Sequence, residues 1–144
     1  MKPPTVILAV DDVARSAKFY QDVFGWPVRM DAGVIVELEL PGGGGLAMYL
    51  RSGFARNVDA AAEAVARPPV GDAGVTGTEL YVPRDDLEAT LGRLNDAGAR
   101  LLSPLSRRDW GDEAAYFADP DGNVVAVARP WPAARLSAPA GGRP

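Results

Sequence analysis

The sequence predicts an α+β fold built from two copies of one unit, each a strand, a helix and three further strands. Three observations predict it. An acidic pair followed by an amphipathic helical pattern occurs twice, at Asp11-Asp12-Val13 and Asp85-Asp86-Leu87, offset by 86 − 12 = 74 residues. A short aliphatic run precedes each pair, and alternating or aliphatic runs follow each helix. A connection over 51–78, carrying Pro68-Pro69 and a glycine-containing stretch from Gly71 to Gly77, separates the copies. One such unit cannot cover its own sheet, so two should associate into a single domain over 1–129.

Taken in order, Thr5 to Val10 reads as a buried strand, and Asp12 as the N-cap of the next segment. From Val13 to Phe24 the apolar residues Val13, Ala17, Tyr20 and Phe24 recur at helical spacing, with Phe19 and Val23 widening the stripe and Gly25 as the stop. Tyr20 and Phe24 are expected in the core. Pro27 to Met30, Val34 to Leu40 and Leu46 to Leu50 are the next three strands. The run Pro41 to Gly45 between the last two is a turn; no Lys-Ser/Thr follows it and no helix opens there, so it is no phosphate loop. This completes a first unit over 5–50. In the connection, Asp59 to Arg67 is Ala-rich and reads as a short helix or lid. The second unit, 79–129, opens with the strand Glu79 to Pro83. Its helix carries Leu87, Leu91 and Leu94 on one face and ends at Gly98. Arg100 to Ser103 is a strand, and Ala114 to Ala118 pairs with Val124 to Ala128 across the turn residues Asp119 to Asn123. The Pro/Ala/Gly-rich 130–144 reads as an extended or disordered tail.

Composition excludes several functions. Of 144 residues, 47% are hydrophobic and 24% charged, the mix of a globular protein. No apolar run approaches the roughly 20 residues a membrane span needs, and no signal peptide is read at the N-terminus, which predicts a cytoplasmic protein with no membrane partner. The net charge of −4 and the lack of a basic stripe argue against nucleic acid. There is no cysteine and no histidine. Thiolate chemistry, a Ser-His-Asp triad and the commonest metal ligand are all removed. Acid–base work would fall to Asp, Glu, Tyr, Lys or Arg.

The segment Val10 to Gly25 (VDDVARSAKFYQDVFG) resembles the opening strand and helix of the vicinal oxygen chelate superfamily, which holds glyoxalase I, extradiol dioxygenases, fosfomycin-resistance enzymes and bleomycin-resistance binding proteins. The second half is similar to the same family through Asp85-Asp86-Leu87, Arg108 to Gly111 and Tyr116 to Asn123 (YFADPDGN). The resemblance spans roughly residues 5 to 129. It implies paired βαβββ modules whose sheets curl into an open half-barrel with a cup-shaped cavity, and a homodimer.

The resemblance also implies a divalent metal in the cup, held by His, Glu or Gln at equivalent points of the two modules. One point lies seven residues before the Asp at the helix junction, at Thr5 and Glu79. The other follows the Asp-Pro-Asp-Gly-Asn turn by three residues, at Ala126, with Met48 (or Tyr49, one register step away) as its counterpart. Only Glu79 is an ordinary ligand, whereas a first-row metal needs three or four donors. The expectation is therefore a cup with no metal and no cofactor. A shifted site using Glu37, Glu39 or Glu113 has no spacing argument behind it.

If Thr5 and Glu79 face the cup, period-two alternation places Ile7, Ala9, Tyr81 and Pro83 there too. Leu46, Met48 and Leu50 share one face, as do Val124, Ala126 and Ala128. Small residues at Ala9, Ala126 and Ala128 predict room for a bulky ligand. Thr5, Ile7, Met48, Glu79, Tyr81, Trp110, Tyr116 and Ala126 are the expected ligand-binding residues, and an apolar or aromatic small molecule is the expected partner. Trp26 could stack on a planar ligand or pack on a sheet edge; Trp131 reads as a surface anchor. Both acidic pairs are read as helix N-caps. Arg107-Arg108 reads as a solvated loop pair, able to attract an anion. Glu79, as a carboxylate in an apolar cup, would have a raised pKa; it would bind a ligand, pair with Arg51 or Arg108, or act as a general base. The leading reading is a metal-independent small-molecule binding protein, with antibiotic sequestration as one such role. The alternative is an enzyme (lyase, isomerase or dioxygenase) with an atypical metal site or Glu79 acid–base catalysis. A third reading is a structural dimer with a filled cup.

Overall fold

The computed structural model describes residues 1–61 and 74–132. The chain divides into two units, Met1–Pro68 and Pro69–Pro144. The first contains β1 (Thr5–Val10), α1 (Val13–Phe24), β2 (Val28–Asp31), β3 (Ile35–Glu39), β4 (Gly45–Leu50) and α2 (Arg51–Asn57). The second contains β5 (Glu79–Pro83), α3 (Leu87–Asp96), β6 (Arg100–Arg107), β7 (Asp112–Ala118) and β8 (Val124–Pro130). Their sheets have the same order, β1-β4-β3-β2 and β5-β8-β7-β6. In each, the first strand pairs in parallel with the last, and the remaining pairs are antiparallel. The α+β class and the repeated strand–helix–three-strand unit stand as the sequence predicts, and neither sheet closes into a barrel.

Helix α1 forms where the apolar stripe is widest. Val13, Ala17, Phe19, Tyr20, Val23 and Phe24 are all buried against β3 and β4. Asp12 caps it by accepting the Arg15 N–H at 3.0 Å, and Gly25 ends it at φ 70°, a left-handed conformation that costs glycine nothing. Leu8, Val10, Val36, Leu38, Leu46 and Met48 complete this core. Trp26 belongs to the same core. It is buried, stacks on Phe24 at 4.4 Å between ring centroids, and its indole N–H has no partner among the described residues. In the second unit Leu87, Thr90 and Leu94 of α3 are buried and α3 packs on β8; Leu91 is only half-buried. Each large apolar side chain so buried contributes about 1.5–3 kcal/mol against the entropy of ordering the chain.

Several elements differ from expectation. Residue 51 opens a helix, α2, where the sequence reads as connection. The expected Ala-rich helix or lid at 59–67 lies mostly outside the described residues. Strand β6 runs to Arg107 rather than stopping at Ser103. Pro104 does not end it, because β6 is the edge of its sheet and its register shifts around this point, which is where a proline is tolerated. Strand β8 reaches Pro130, and the Trp131 N–H donates to the Gly111 carbonyl at 2.8 Å, so the expected tail is tied down through its first two residues. Only one of the four acidic-pair residues caps a helix through its side chain. Asp86 instead receives Arg84 and Arg93, and Asp11 receives the buried Arg51 at 3.0 Å. Among the described residues no helix is long and apolar enough to cross a membrane.

Candidate functional site

Five of the eight expected ligand-binding residues come together in the second unit. Parallel pairing sets Tyr81 opposite Ala126, and antiparallel pairing sets Ala126 opposite Tyr116. Directly paired residues point to the same side of a sheet, so Tyr81, Ala126 and Tyr116 form a row across β5, β8 and β7. Glu79, two residues before Tyr81, shares that face. Trp110, in the β6–β7 turn, joins it by donating its indole N–H to the Tyr81 hydroxyl at 2.9 Å.

The first unit separates the other three. Thr5 and Ile7 are exposed on β1, opposite Gly45 and Ala47. Met48 pairs with Leu8 and Val36, so it lies on the opposite, helix-covered face and is fully buried. Tyr49, the alternative, lies on the Thr5 face, opposite Ala9 and Ile35. The true counterpart of Ala126 is Ala47: Ile7 pairs with Ala47 as Tyr81 pairs with Ala126. The offset between units is 79 − 5 = 74 at their first strands but 126 − 47 = 79 at their last. Unequal segments between the strands cause this change, which spacing alone could not reveal.

Ala126 is itself wholly buried, as are Ala114 and Ala128 on the same face. The Ala126 methyl group lies between the longer Tyr81 and Tyr116 side chains. Tyr81, Tyr116 and Trp110 are half-buried, and Glu79 is exposed. Glu79 thus lacks the apolar enclosure that the sequence reading expects.

The polar chemistry of this face centres on two groups. The Tyr81 hydroxyl donates to Asp112 Oδ2 at 2.6 Å while accepting from Trp110. Burial, then the Asp112 hydrogen bond, push the Tyr81 phenol up to about 12. It is a fixed neutral donor near neutral pH, not a base. The second group is Arg108. Its guanidinium lies over the Tyr116 ring, 4.9 Å from the centroid. Its Nη2 donates to Ser103 Oγ at 3.0 Å, to the Ala114 carbonyl at 2.9 Å and to the Pro104 carbonyl at 3.1 Å. Arg108 is therefore not a solvated loop residue. Arg107 ends β6 and lies over Trp131 at 5.9 Å.

Sequence reasoning missed Asp112 and Ser103. Asp112 was legible: it is in phase with Ala114 and Tyr116, so extending the alternation back by two residues finds it. Ser103 was hidden because its strand was read as ending there.

A divalent metal does not fit the residues present. The implied positions read Thr5, Ala47, Glu79 and Ala126, and the Thr5 hydroxyl is already bonded to Glu37 at 2.6 Å. Among the described residues, no three of His, Cys, Asp or Glu cluster to hold a cation. Of the shifted candidates, Glu37 also meets Arg29 at 3.6 Å, and Glu113 is bonded to Arg129 at 2.5 Å.

A family model described as a glyoxalase-like domain matches residues 4–131. The chain is 27% identical over 117 residues to a glyoxylase-like domain-containing protein of Didymella fabae, covering 81% of this chain and 84% of that protein. Among solved structures it is similar to a glyoxalase-related enzyme from Fulvimarina pelagi, with a TM-score of 0.72, 24% identity, and 90% and 88% of the two chains covered. It is equally similar in fold to a glyoxalase/bleomycin resistance protein/dioxygenase family enzyme from Burkholderia phytofirmans, with a TM-score of 0.72, 18% identity, and 88% and 97% covered.

Proposed function

The chain belongs to the glyoxalase-like domain family, and on that premise we propose that it is a metal-independent small-molecule binding protein whose ligand is apolar or aromatic. One observation carries this reading: the positions where the family resemblance implies metal ligands hold two alanines, a threonine engaged with Glu37, and a single carboxylate. Chelation of vicinal oxygens needs a cation held by several protein donors. What this chain offers instead is the aromatic set Tyr81, Trp110 and Tyr116, with a few oriented polar groups beside it, the composition of a binding surface. Sequestration of an antibiotic is one role such a surface serves.

The test is the elemental metal content of purified protein exposed to Mn, Fe, Ni and Zn and then desalted. Near-zero metal is the expected result. About one metal per chain, with an activity lost on chelation, would replace this reading with the enzyme alternative. A Glu79→Gln variant addresses metal-free catalysis: turnover abolished with ligand affinity intact would make Glu79 the acid–base group, while no turnover in either protein supports binding.

A further inference from the structure

Arg108 is a half-buried cation with no carboxylate partner among the described residues. Its neighbours are neutral: the Ser103 hydroxyl, the Pro104 and Ala114 carbonyls, and the π face of Tyr116. Asp112, four residues on, has its carboxylate engaged by the Tyr81 hydroxyl. Three other arginines of this unit, Arg84, Arg93 and Arg129, are treated differently. Arg84 and Arg93 meet Asp86, and Arg129 meets both Glu88 and Glu113. Partial burial of a charge among neutral acceptors carries a desolvation cost that an incoming anion would offset.

The hydrogen bonding of Arg108 is also incomplete. Guanidinium has five N–H donors. Nε and Nη2 serve the three acceptors named above, whereas Nη1 has no hydrogen-bond partner among the described residues. The same interactions hold the guanidinium over the Tyr116 ring, 4.9 Å from its centroid, and restrict its orientation. An oriented, charge-unpaired guanidinium beside aromatic rings suits a planar ligand that carries a carboxylate.

We propose that Arg108 is the anion-recognising residue of this face, and that the ligand is an aromatic carboxylate whose ring lies against Tyr116 and whose charge meets the guanidinium. This rests on the small-molecule reading above and narrows its ligand class. The test is calorimetric titration of the full chain with 2-naphthoate and with its neutral isostere 2-naphthamide. Wild type should bind the acid at least about tenfold more tightly than the amide, since hydrogen bonds to charged groups are the stronger ones. Arg108→Gln should bring that ratio close to one, and Arg108→Lys should keep part of it. Equal binding of acid and amide by wild type overturns the inference and leaves the small-molecule reading standing. A preference that survives Arg108→Gln also overturns it. Binding of neither probe overturns both. If Arg108→Gln does not fold, because it loses its bonds to Ser103 and Ala114, the wild-type comparison and the Lys variant decide.

Discussion

Tyr81 shows how much a single residue's environment adds to its sequence. Alternation from Glu79 puts it on one face with Glu79, and in the sheet it pairs with Ala126. Its chemistry was not legible, because Asp112 lies 31 residues away and Trp110 29 residues away. Burial and the bond to Asp112 hold the phenol protonated up to about 12. The sign of the linkage follows. A group whose folded pKa is raised stabilises the fold fully below its unfolded value, about 10, and the contribution is lost as pH climbs through the folded value. Absorbance titration at 295 nm should therefore show that the wild-type increment removed by Tyr81→Phe appears only above about pH 11. Denaturation midpoints of wild type should also fall more steeply than those of Tyr81→Phe between about pH 10 and 12. An increment centred near pH 10 would show that Tyr81 is not held as described. Met48 teaches the converse. Its apolar character agreed with either face, so nothing in its own chemistry could correct a register error of one residue.

At the scale of elements, legibility followed periodicity. Helix α1 was readable because it combines a wide apolar stripe with a capping Asp and a terminal Gly. Helix α2 was not: it is 7 residues long, contains Gly53, and has no side-chain cap. Tertiary packing makes it, since Arg51 reaches Asp11 and the Tyr49 ring packs against Gly53. Two helical glycines therefore predict opposite outcomes for one substitution. Alanine is favoured over glycine in a helix by about 0.8–1 kcal/mol. At Gly92 in α3, a new Cβ meets nothing within 4 Å, so Gly92→Ala should raise stability by about 0.5–1 kcal/mol. At Gly53, a new Cβ runs into the Tyr49 ring, with Cζ at 2.9 Å and the hydroxyl oxygen at 3.1 Å. Overpacking costs about 1–3 kcal/mol and outweighs the propensity gain, so Gly53→Ala should lower stability by about 1–2 kcal/mol. Urea midpoints of the two variants check both signs; a gain at Gly53 would mean that α2 is not seated on Tyr49.

Across the whole molecule, the duplicated unit was the strongest signal in the sequence, because two acid-pair–helix patterns constrain each other more than either constrains itself. Family membership and the repeated sheet order bear this out. The same duplication frames the last prediction. In a protein built to hold a metal, metal binding is linked to the stability of the fold. A ligand that binds only the native state at 100 times its dissociation constant adds about 2.7 kcal/mol. That corresponds to several degrees in Tm for a chain of this size, at roughly 2–8 °C for each 1 kcal/mol across domains of comparable length. Thr5, Ala47, Glu79 and Ala126 provide no such donor set, so this coupling should be missing. Thermal unfolding of chelator-treated protein, followed without metal and then with 100 μM Mn, Ni or Zn, should give midpoints within about one degree of each other. A metal-specific rise of several degrees, reversed by chelator, would show that the chain assembles a cation site from residues other than these four.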